Sequence, residues 1–231
     1  MPSDTTFAPV DRDETLAEKV YARLRSALVG GRLAPGQRLV HRQLAAELGV
    51  SPTPVREALL RLVSDGALEL DARGIAGVPR LSRDRYAEIM ELRAELEGRA
   101  AARAALLATP DEVATLRAIH GRLMEGRTGD DGATVLAENE RFHFGVIALA
   151  RMPVLQRVVE SLWTQSGPTL NLLLAVPRPV WRQGHPHEDL LRALEAHDAD
   201  AARAAVERDL RDYARIVAPL LERDAGEAGA G

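Results

Sequence analysis

Hydrophobic positions recur at helical spacing along most of this chain. Between Thr15 and Val29 the apolar residues Leu16, Val20, Leu24 and Leu28 lie four positions apart. This spacing places them on one face of an α-helix. The glycine pair that follows predicts where the helix ends.

Two shorter helices are predicted next, after a turn built on Pro35-Gly36. The first runs from Arg42 to Leu48 and stops at Gly49. Ser51 is a candidate N-cap for the second, with Pro52 in its first turn, where the missing N–H does no harm. The second helix ends at Asp65-Gly66, and its apolar face consists of Val55, Ala58, Leu59, Leu62 and Val63.

A small β-hairpin is predicted after these helices. The runs ALEL and IAGV have β-forming character and are separated by the turn sequence DARG. Two short helices joined by a glycine turn and followed by a hairpin are typical of a winged helix-turn-helix, in which the second helix enters the DNA major groove.

From Leu81 onward the pattern is helical throughout. The group TPDE, with Thr109 as N-cap and Glu112 at the third helical position, reads as a capping box. The predicted helices are Asp84–Ala108, Asp111–Glu125, Ala133–Ala150, Pro153–Leu174, Val180–Ala196 and Asp198–Leu221.

These patterns predict a mostly α protein of two domains. We expect a flexible arm over residues 1–13 and a winged helix-turn-helix over residues 14–80. A helical domain over residues 81–222 and a disordered tail over residues 223–231 follow.

Composition supports this interpretation and narrows the class of protein. Aromatic residues make up only 3% of the chain, and cysteine is absent, which excludes disulfides and thiolate metal sites. No apolar run of about 18 residues and no signal pattern occur, so we expect a cytoplasmic protein with no membrane partner.

The charge is unevenly distributed along the chain. The formal net charge is -4, yet residues 15–80 carry ten Lys/Arg against six Asp/Glu, a balance of +4. From residue 81 onward the count is nineteen against twenty-four, a balance of -5. A local basic excess permits phosphate binding by the N-terminal domain.

Candidate DNA-binding residues cluster on the predicted winged helix-turn-helix. Ser51, Thr53 and Arg56 lie on the first turns of its second helix and outside the apolar face, where Arg can read guanine and Thr can reach a base or phosphate. The alternative is that such arginines are solvated surface residues, but their ordered spacing favours DNA contact. Arg38 and Arg42 precede this helix as candidate backbone contacts, and Arg73 and Gly74 form the tip of the hairpin.

The segment GRLAPGQRLVHRQLAAELGVSPTPVREALLRLVSDGALEL resembles the DNA-binding domain of the GntR family of regulators. The resemblance extends from about Leu16 to Val78 and implies that Arg42, Ser51, Thr53 and Arg56 contact operator DNA, with Arg73 and Gly74 at the wing. Pro52 departs from the pattern, since many members carry a basic residue there. Regulators of this kind bind near-palindromic sites, so we expect a homodimer.

The remaining helices resemble the FCD type of ligand domain found in the FadR-like branch of this family. The resemblance rests on MELRAELEGRAAARAA, NERFHFGVIALARMPVL and HEDLLRALEAHDADAARAAVERDL. It implies an antiparallel all-helical bundle around a cavity. Many members hold a divalent metal there and bind small organic acids.

A set of potential metal ligands lies in these helices. Asn139 and His143 are four residues apart and share a helix face. With His187 and Asp209 they offer two imidazoles, a carboxylate and an amide oxygen, which suit an ion such as zinc, nickel or manganese. The family pattern has Asp and His where this chain has Asn139 and Asp209. The alternative is a cavity in which these groups hold water or bind the effector directly.

Arg93 is the other candidate for effector binding, together with Asn139, His143 and His187. It lies on the apolar face of its helix, where a buried Arg needs a partner that a carboxylate effector could supply. The alternative is a salt bridge to Glu97, four residues on. His120, His185 and His197 lack evident partners, and we interpret them as surface residues.

These features predict a ligand-responsive, DNA-binding transcription regulator and not an enzyme. We expect a repressor that a small carboxylate effector releases from its operator, through movement of the helix bearing Arg93 toward the helix bearing His143. A metal-dependent hydrolase using the His/Asp set is the alternative, but no compact motif such as H-E-x-x-H is present. A protein-interaction adaptor would not explain the placement of Thr53 and Arg56.

Overall fold

The computed structural model describes residues 15–175 and 185–229 of the chain. The predicted arm, residues 1–13, lies outside the described residues. In the described part the fold is mostly helical, as the sequence predicts, with a small sheet near the N-terminus.

The N-terminal domain has the predicted order of two short helices and a hairpin. Its elements are α1 (Leu16–Val29), β1 (Arg38–Leu39), α2 (His41–Leu48), α3 (Pro52–Ser64), β2 (Glu69–Leu70) and β3 (Ala76–Gly77). Strands β2 and β3 form the predicted hairpin, and β1 pairs antiparallel with β3 on its other side. The sequence pattern missed β1 because a two-residue strand beside a Pro-Gly turn has no periodicity to detect.

The core of this domain lies between α1 and α3. Leu28, Val55 and Leu62 are fully buried there, as their spacing predicts. Gly49, with φ of +67°, ends α2 in the left-handed conformation that glycine adopts without strain. The chain can therefore turn sharply from α2 into α3, which leaves the start of α3 on the surface.

The C-terminal domain is a bundle of helices. Its elements are α4 (Arg83–Leu107), α5 (Pro110–Thr128), α6 (Gly132–Leu149), α7 (Pro153–Ser166), a 3-10 segment (Gly167–Ala175), α8 (Pro186–Glu195) and α9 (Ala199–Gly229). Helix α5 begins with the predicted capping box of Thr109 and Glu112. The predicted helices are confirmed, with differences of more than three residues at three ends.

The three differences have local causes. Helix α7 ends at Ser166 because Gly167-Pro168 interrupts it, and the chain continues as the 3-10 segment. Helix α8 begins at Pro186 after the N-cap His185, while the predicted start at Val180 lies outside the described residues. Helix α9 continues to Gly229 where a disordered tail was expected from residue 223, since extending a formed helix by a residue is far easier than starting one.

Helix α4 lies at the centre of the bundle and packs against α6, α7, α8 and α9. Ala100, Ala101, Ala104 and Ala105 are fully buried along it. Their small side chains let the neighbouring helices approach closely, so the polar residues of α4 face those of α6, α7 and α9.

The two domains contact each other through α1, α7 and the 3-10 segment. An ion pair joins Arg25 on α1 to Glu160 on α7. The side-chain amide of Asn171 donates a hydrogen bond to the backbone oxygen of Gly31 at 3.1 Å. The end of α1 therefore rests on the 3-10 segment of the C-terminal domain.

Among the helices of the described part, none is both long and apolar enough to cross a membrane.

Candidate functional site

The predicted DNA-binding residues of α2, α3 and the hairpin tip are exposed on the N-terminal domain. Arg42 on α2 and Thr53 and Arg56 on α3 are all exposed, and the described residues provide no ion-pair partner for either arginine. Arg73 and Gly74 lie exposed at the tip of the hairpin. These residues can therefore present uncompensated positive charge and hydrogen-bond donors to a ligand such as DNA.

The start of α3 has fewer backbone donors than a typical helix. Ser51 is the N-cap, as predicted, but its hydroxyl makes no capping hydrogen bond. The usual donors lie at the second and third helical positions, and the third is Pro54, which has no N–H. Pro52 lacks one as well, so any phosphate contact at this helix start depends on side chains such as that of Ser51 more than on backbone N–H groups.

The hairpin turn is organised by Asp71. Its carboxylate accepts the backbone N–H groups of Arg73 and Ile75, both at 2.9 Å, and pairs with Arg38. The N–H of Ile75, then that of Arg73, and the charge of Arg38 hold the pKa of Asp71 below its ordinary value, against the effect of desolvation. Arg38 therefore braces the wing, and its charge is partly compensated by Asp71.

A buried network around α4 takes up the Arg93 side chain. Its Nε donates to Glu97 Oε1 at 2.7 Å, and its Nη1 donates to Ser166 at 3.1 Å. Glu97 Oε1 also accepts the indole N–H of Trp163 at 2.9 Å, and the guanidinium lies 3.8 Å above the Trp163 ring. The salt bridge to Glu97, one of the two alternatives, is thus present, and Arg93 has its countercharge without an effector.

His143, on α6, extends this network toward α9. Its Nδ1 lies 3.4 Å from Glu97 Oε2, and its Nε2 lies 3.2 Å from Asp209 Oδ2. His187, on α8, brings its Nε2 within 3.4 Å of the same Asp209 oxygen. Arg93, Glu97, His143 and Asp209 therefore form a buried row of alternating charge that joins α4, α6 and α9.

The environment sets the protonation of these groups. Burial acts to lower the pKa of His143, but its interactions with Asp209 and Glu97 outweigh burial and raise the pKa to about 9. Burial raises the pKa of Asp209, but His143 and His187 outweigh it and hold that pKa below its ordinary value. For His187 burial dominates and lowers the pKa to about 4, despite Asp209.

The structure brings three of the predicted metal ligands together. His143, His187 and Asp209 each offer a ligand atom within 4.8 Å of the other two, and all three are buried. Both oxygens of Asp209, Nε2 of His187 and Oδ1 of the buried Asn139 lack hydrogen-bond partners in the described part. Buried polar atoms are rarely left in this state, so this donor set fits a divalent ion or a polar ligand.

Two histidines that the sequence indicated as surface residues are buried in the same region. His120, on α5, is 7% exposed, and His185, the N-cap of α8, is 2% exposed. The prediction was wrong because the first faces α8 across the bundle, and the second is buried where α8 begins. The i, i+2 pairing of His185 with His187 was the available signal. His197 is exposed, as predicted.

A small cavity lies beside this cluster. It has a volume of about 40 Å³ and is lined by Asn139 and Leu136 of α6, Tyr213 of α9, and Leu170, Leu173 and Leu174 of the 3-10 segment, among others. The walls are mostly apolar, and Arg127, Asn139 and Tyr213 supply the polar groups. The segment that closes the cavity is also the one that contacts α1.

Comparisons with known proteins agree with both halves of the fold. Residues 16–77 match bacterial regulatory proteins of the gntR family, and residues 88–228 match the FCD domain. The chain is 35% identical over 191 residues to the HTH-type transcriptional regulator McbR of Escherichia coli, covering 82% of this chain and 86% of that protein.

Further relatives extend this agreement. The solved structure of E. coli McbR/YncC superimposes with a TM-score of 0.83 at 33% identity, covering 88% of this chain and 97% of the other. A probable D-xylose utilization operon transcriptional repressor of Paenarthrobacter nicotinovorans is 28% identical over 202 residues, covering 86% of this chain and 87% of the relative. This chain belongs to the GntR family of bacterial transcription regulators and combines a winged helix-turn-helix DNA-binding domain with an FCD domain.

Proposed function

We propose that this regulator binds its operator as a homodimer and that a small organic acid, bound in the C-terminal domain, changes its affinity for DNA. The observation that carries the DNA-binding part is the exposure of Arg42, Thr53 and Arg56 on α2 and α3, whose arginines have no protein countercharge among the described residues. Such a regulator acts on chromosomal DNA in the cytoplasm.

The proposed contacts divide into two kinds. Arg56 and Thr53 lie where the first turns of α3 face a major groove, so they read base edges. Arg42, Ser51 and the wing residues Arg73 and Gly74 contact the sugar-phosphate backbone, and Arg38 contributes by holding the wing. Two copies of the domain, one per half-site, would supply the contacts that a single module lacks.

The effector site is the cavity beside Asn139 and its polar cluster. A volume of about 40 Å³ holds little more than a water molecule, whereas typical ligand pockets have about 300–1,000 Å³. Effector binding therefore requires the cavity to expand. The leucines of the 3-10 segment are the mobile wall in this proposal, because α6 and α9 are fixed by the buried ion-pair row.

Movement of the 3-10 segment provides the route to DNA. Asn171, in this segment, donates its hydrogen bond to Gly31 at the end of α1, and α1 packs against α3. This route replaces the expected movement of the helix bearing Arg93 toward the helix bearing His143. Glu97 already contacts both Arg93 and His143, so α4 and α6 are connected without an effector. A ligand shifts the DNA affinity only as far as it prefers one arrangement of the segment over the other.

A divalent ion is the further part of the proposal. Asn139, His143, His187 and Asp209 would hold it. In the described part, Oδ1 of Asp209 and Oδ1 of Asn139 lack hydrogen-bond partners, which supports this assignment. When bound, the ion would offer a coordination position to a carboxylate. Both ring nitrogens of His143 face carboxylates, Nδ1 toward Glu97 and Nε2 toward Asp209. His143 would therefore have to release the proton from the nitrogen that binds the ion. We propose a sensing role for this set, since the relatives described above are named as regulators and not as hydrolases.

The DNA-binding part is tested by selecting binding sequences from a random duplex library and measuring their affinity by fluorescence anisotropy. We expect Arg56→Ala to weaken binding by about 1–3 kcal/mol. Arg157→Ala, an exposed arginine on α7, serves as the control and should leave it unchanged. An Arg56→Ala variant that binds the selected DNA as tightly as the parent chain would refute the assignment of α3.

A further inference from the structure

Three buried histidines form a second cluster next to the family's metal set, which is the group of proposed ligands Asn139, His143, His187 and Asp209. His120 comes from α5, and His185 and His187 come from the start of α8. Each offers a ligand nitrogen within 4.8 Å of the other two, and each is at least nine-tenths buried. His120 and His185 lie outside the family's metal set, whereas His187 belongs to both groups.

The arrangement of the three rings resembles that around a tetrahedral metal ion. The ring centres of His120 and His185 are 5.3 Å apart, those of His120 and His187 5.4 Å, and those of His185 and His187 4.4 Å. With Zn–N bonds of about 2.0–2.1 Å, three imidazoles on one zinc ion have their ring centres about 5 Å apart. Small side-chain rotations would therefore bring all three nitrogens to a common ion.

Unused nitrogen atoms also point to a ligand. Nδ1 of His120 and Nδ1 of His187 lack hydrogen-bond partners in the described part of the chain. Nε2 of His120 lies 3.8 Å from Glu188 Oε1. A proton on Nε2 would point toward this carboxylate and leave the Nδ1 lone pair for a metal; a shift of the exposed Glu188 side chain would complete the hydrogen bond that commonly orients a zinc-binding histidine.

His187 and its neighbours complete the arrangement. Its Nε2 faces Asp209, which leaves Nδ1 for the second cluster, and Phe142 stacks on its ring at 3.8 Å and fixes the ring plane. Nδ1 of His185 accepts the backbone N–H of His187 at 3.3 Å. Ligation by His185 gives up this long capping bond, a small loss beside the metal–nitrogen bonds gained.

The two donor sets differ in chemistry. Both ring nitrogens of His143 lie against carboxylates, so a metal at the family's set must displace a proton. The second cluster consists of imidazoles, a donor type that suits zinc better than manganese, which prefers oxygen ligands.

We propose that His120, His185 and His187 bind a zinc ion at a site separate from the Asn139/His143/Asp209 set and with His187 as the shared residue. Three protein ligands leave the fourth position open for water or for one oxygen of a small anion.

The test uses full-length protein, free of affinity tag, that is loaded with zinc and passed through a desalting column. Zinc per chain is measured by elemental analysis for the parent and for His120→Gln, His185→Gln and His143→Gln. His197→Gln, an exposed histidine outside both sets, is the matched control. X-ray absorption of zinc-loaded His143→Gln then counts the imidazoles bound to the ion, and circular dichroism shows that each variant is folded.

We expect His120→Gln and His185→Gln each to bind about one zinc ion fewer per chain than the parent and the control. In His143→Gln the remaining zinc should have three imidazole ligands. Zinc bound instead by Asn139, His187 and Asp209 would have only one, from His187. Unchanged zinc in His120→Gln and His185→Gln, or zinc with a single imidazole in His143→Gln, would overturn the proposal. A variant that fails to fold leaves the imidazole count in His143→Gln as the deciding measurement.

DNA binding is a separate readout, because Thr53 and Arg56 lie in the other domain. Unchanged zinc binding in His120→Gln and His185→Gln would count against this inference alone. Unchanged DNA affinity in the Arg56→Ala test would count against the proposed function alone.

Discussion

Replacing Glu97 with Gln removes one charge from the centre of the helical domain while keeping the side chain's shape. Glu97 is 2% exposed and accepts hydrogen bonds from Arg93 at 2.7 Å and from Trp163 at 2.9 Å. In Glu97→Gln the charge of Arg93 stays buried with only neutral partners, since its other hydrogen-bond acceptors, the Ser166 hydroxyl and the Met90 sulfur, are uncharged. The buried row of alternating charge is then broken at its second member.

The size of the effect follows from this burial. Breaking a buried ion pair by neutralising one partner destabilises a protein by about 3–5 kcal/mol. The amide introduced by Glu97→Gln still offers one oxygen to Arg93 or Trp163, so we expect a loss of about 3 kcal/mol in the free energy of unfolding. The control is Glu95→Gln on the same helix, whose carboxylate is 66% exposed and pairs with Arg203 at 3.1 Å. An exposed pair contributes about 0–1 kcal/mol.

Urea unfolding of metal-free protein at pH 7, followed by tryptophan fluorescence and circular dichroism, measures both variants. With a slope of about 2–3 kcal/mol per molar urea, the loss should lower the midpoint of the C-terminal domain by about 1 M. A Glu97→Gln midpoint equal to that of Glu95→Gln would refute the argument that the Arg93–Glu97 pair compensates a buried charge.

Three further predictions concern pH, domain coupling and the wing. The pKa of His143 is raised from 6.5 to about 9, so its stabilisation is complete below pH 6.5 and is lost as the pH rises through 9. Metal-free protein should thus lose about 3 kcal/mol of unfolding free energy over this range, and the loss should vanish in His143→Gln. Asn171→Ala removes the bond to Gly31 and should shrink the organic acid's effect on the DNA dissociation constant about 5-fold, as titrations with and without the acid would show. Gly74 has φ of +73°, so Gly74→Val should strain the turn by about 1–2 kcal/mol and weaken DNA binding measured by anisotropy, whereas an unchanged affinity would exclude the wing from the interface.

Helices with a regular apolar stripe could be predicted from the sequence because their period determines both their type and their buried face. The apolar residues of α3 and the capping box at Thr109 are such cases, and both are present in the structure. Strand β1 could not be predicted, because its two residues are held only by pairing with β3, a contact distant in sequence.

The candidate site was predictable only in part, for a related reason. His143, His187 and Asp209 were identified through the family resemblance, and the structure places them together. His120 and His185 were not, because whether an isolated histidine is buried depends on which helix packs over it. Likewise the choice between Glu97 and an effector as the partner of Arg93 depends on side-chain geometry that spacing alone leaves open.

The central claim, a DNA-binding protein that responds to a ligand, is tested most directly by one pair of titrations. The affinity of the full chain for its selected duplex is measured with and without saturating L-lactate, gluconate or citrate, at fixed salt. At least one such acid should change the dissociation constant by roughly 5- to 150-fold, which corresponds to a coupling of about 1–3 kcal/mol. An acid that binds the C-terminal domain, as seen by calorimetry, yet leaves the DNA dissociation constant unchanged would contradict it.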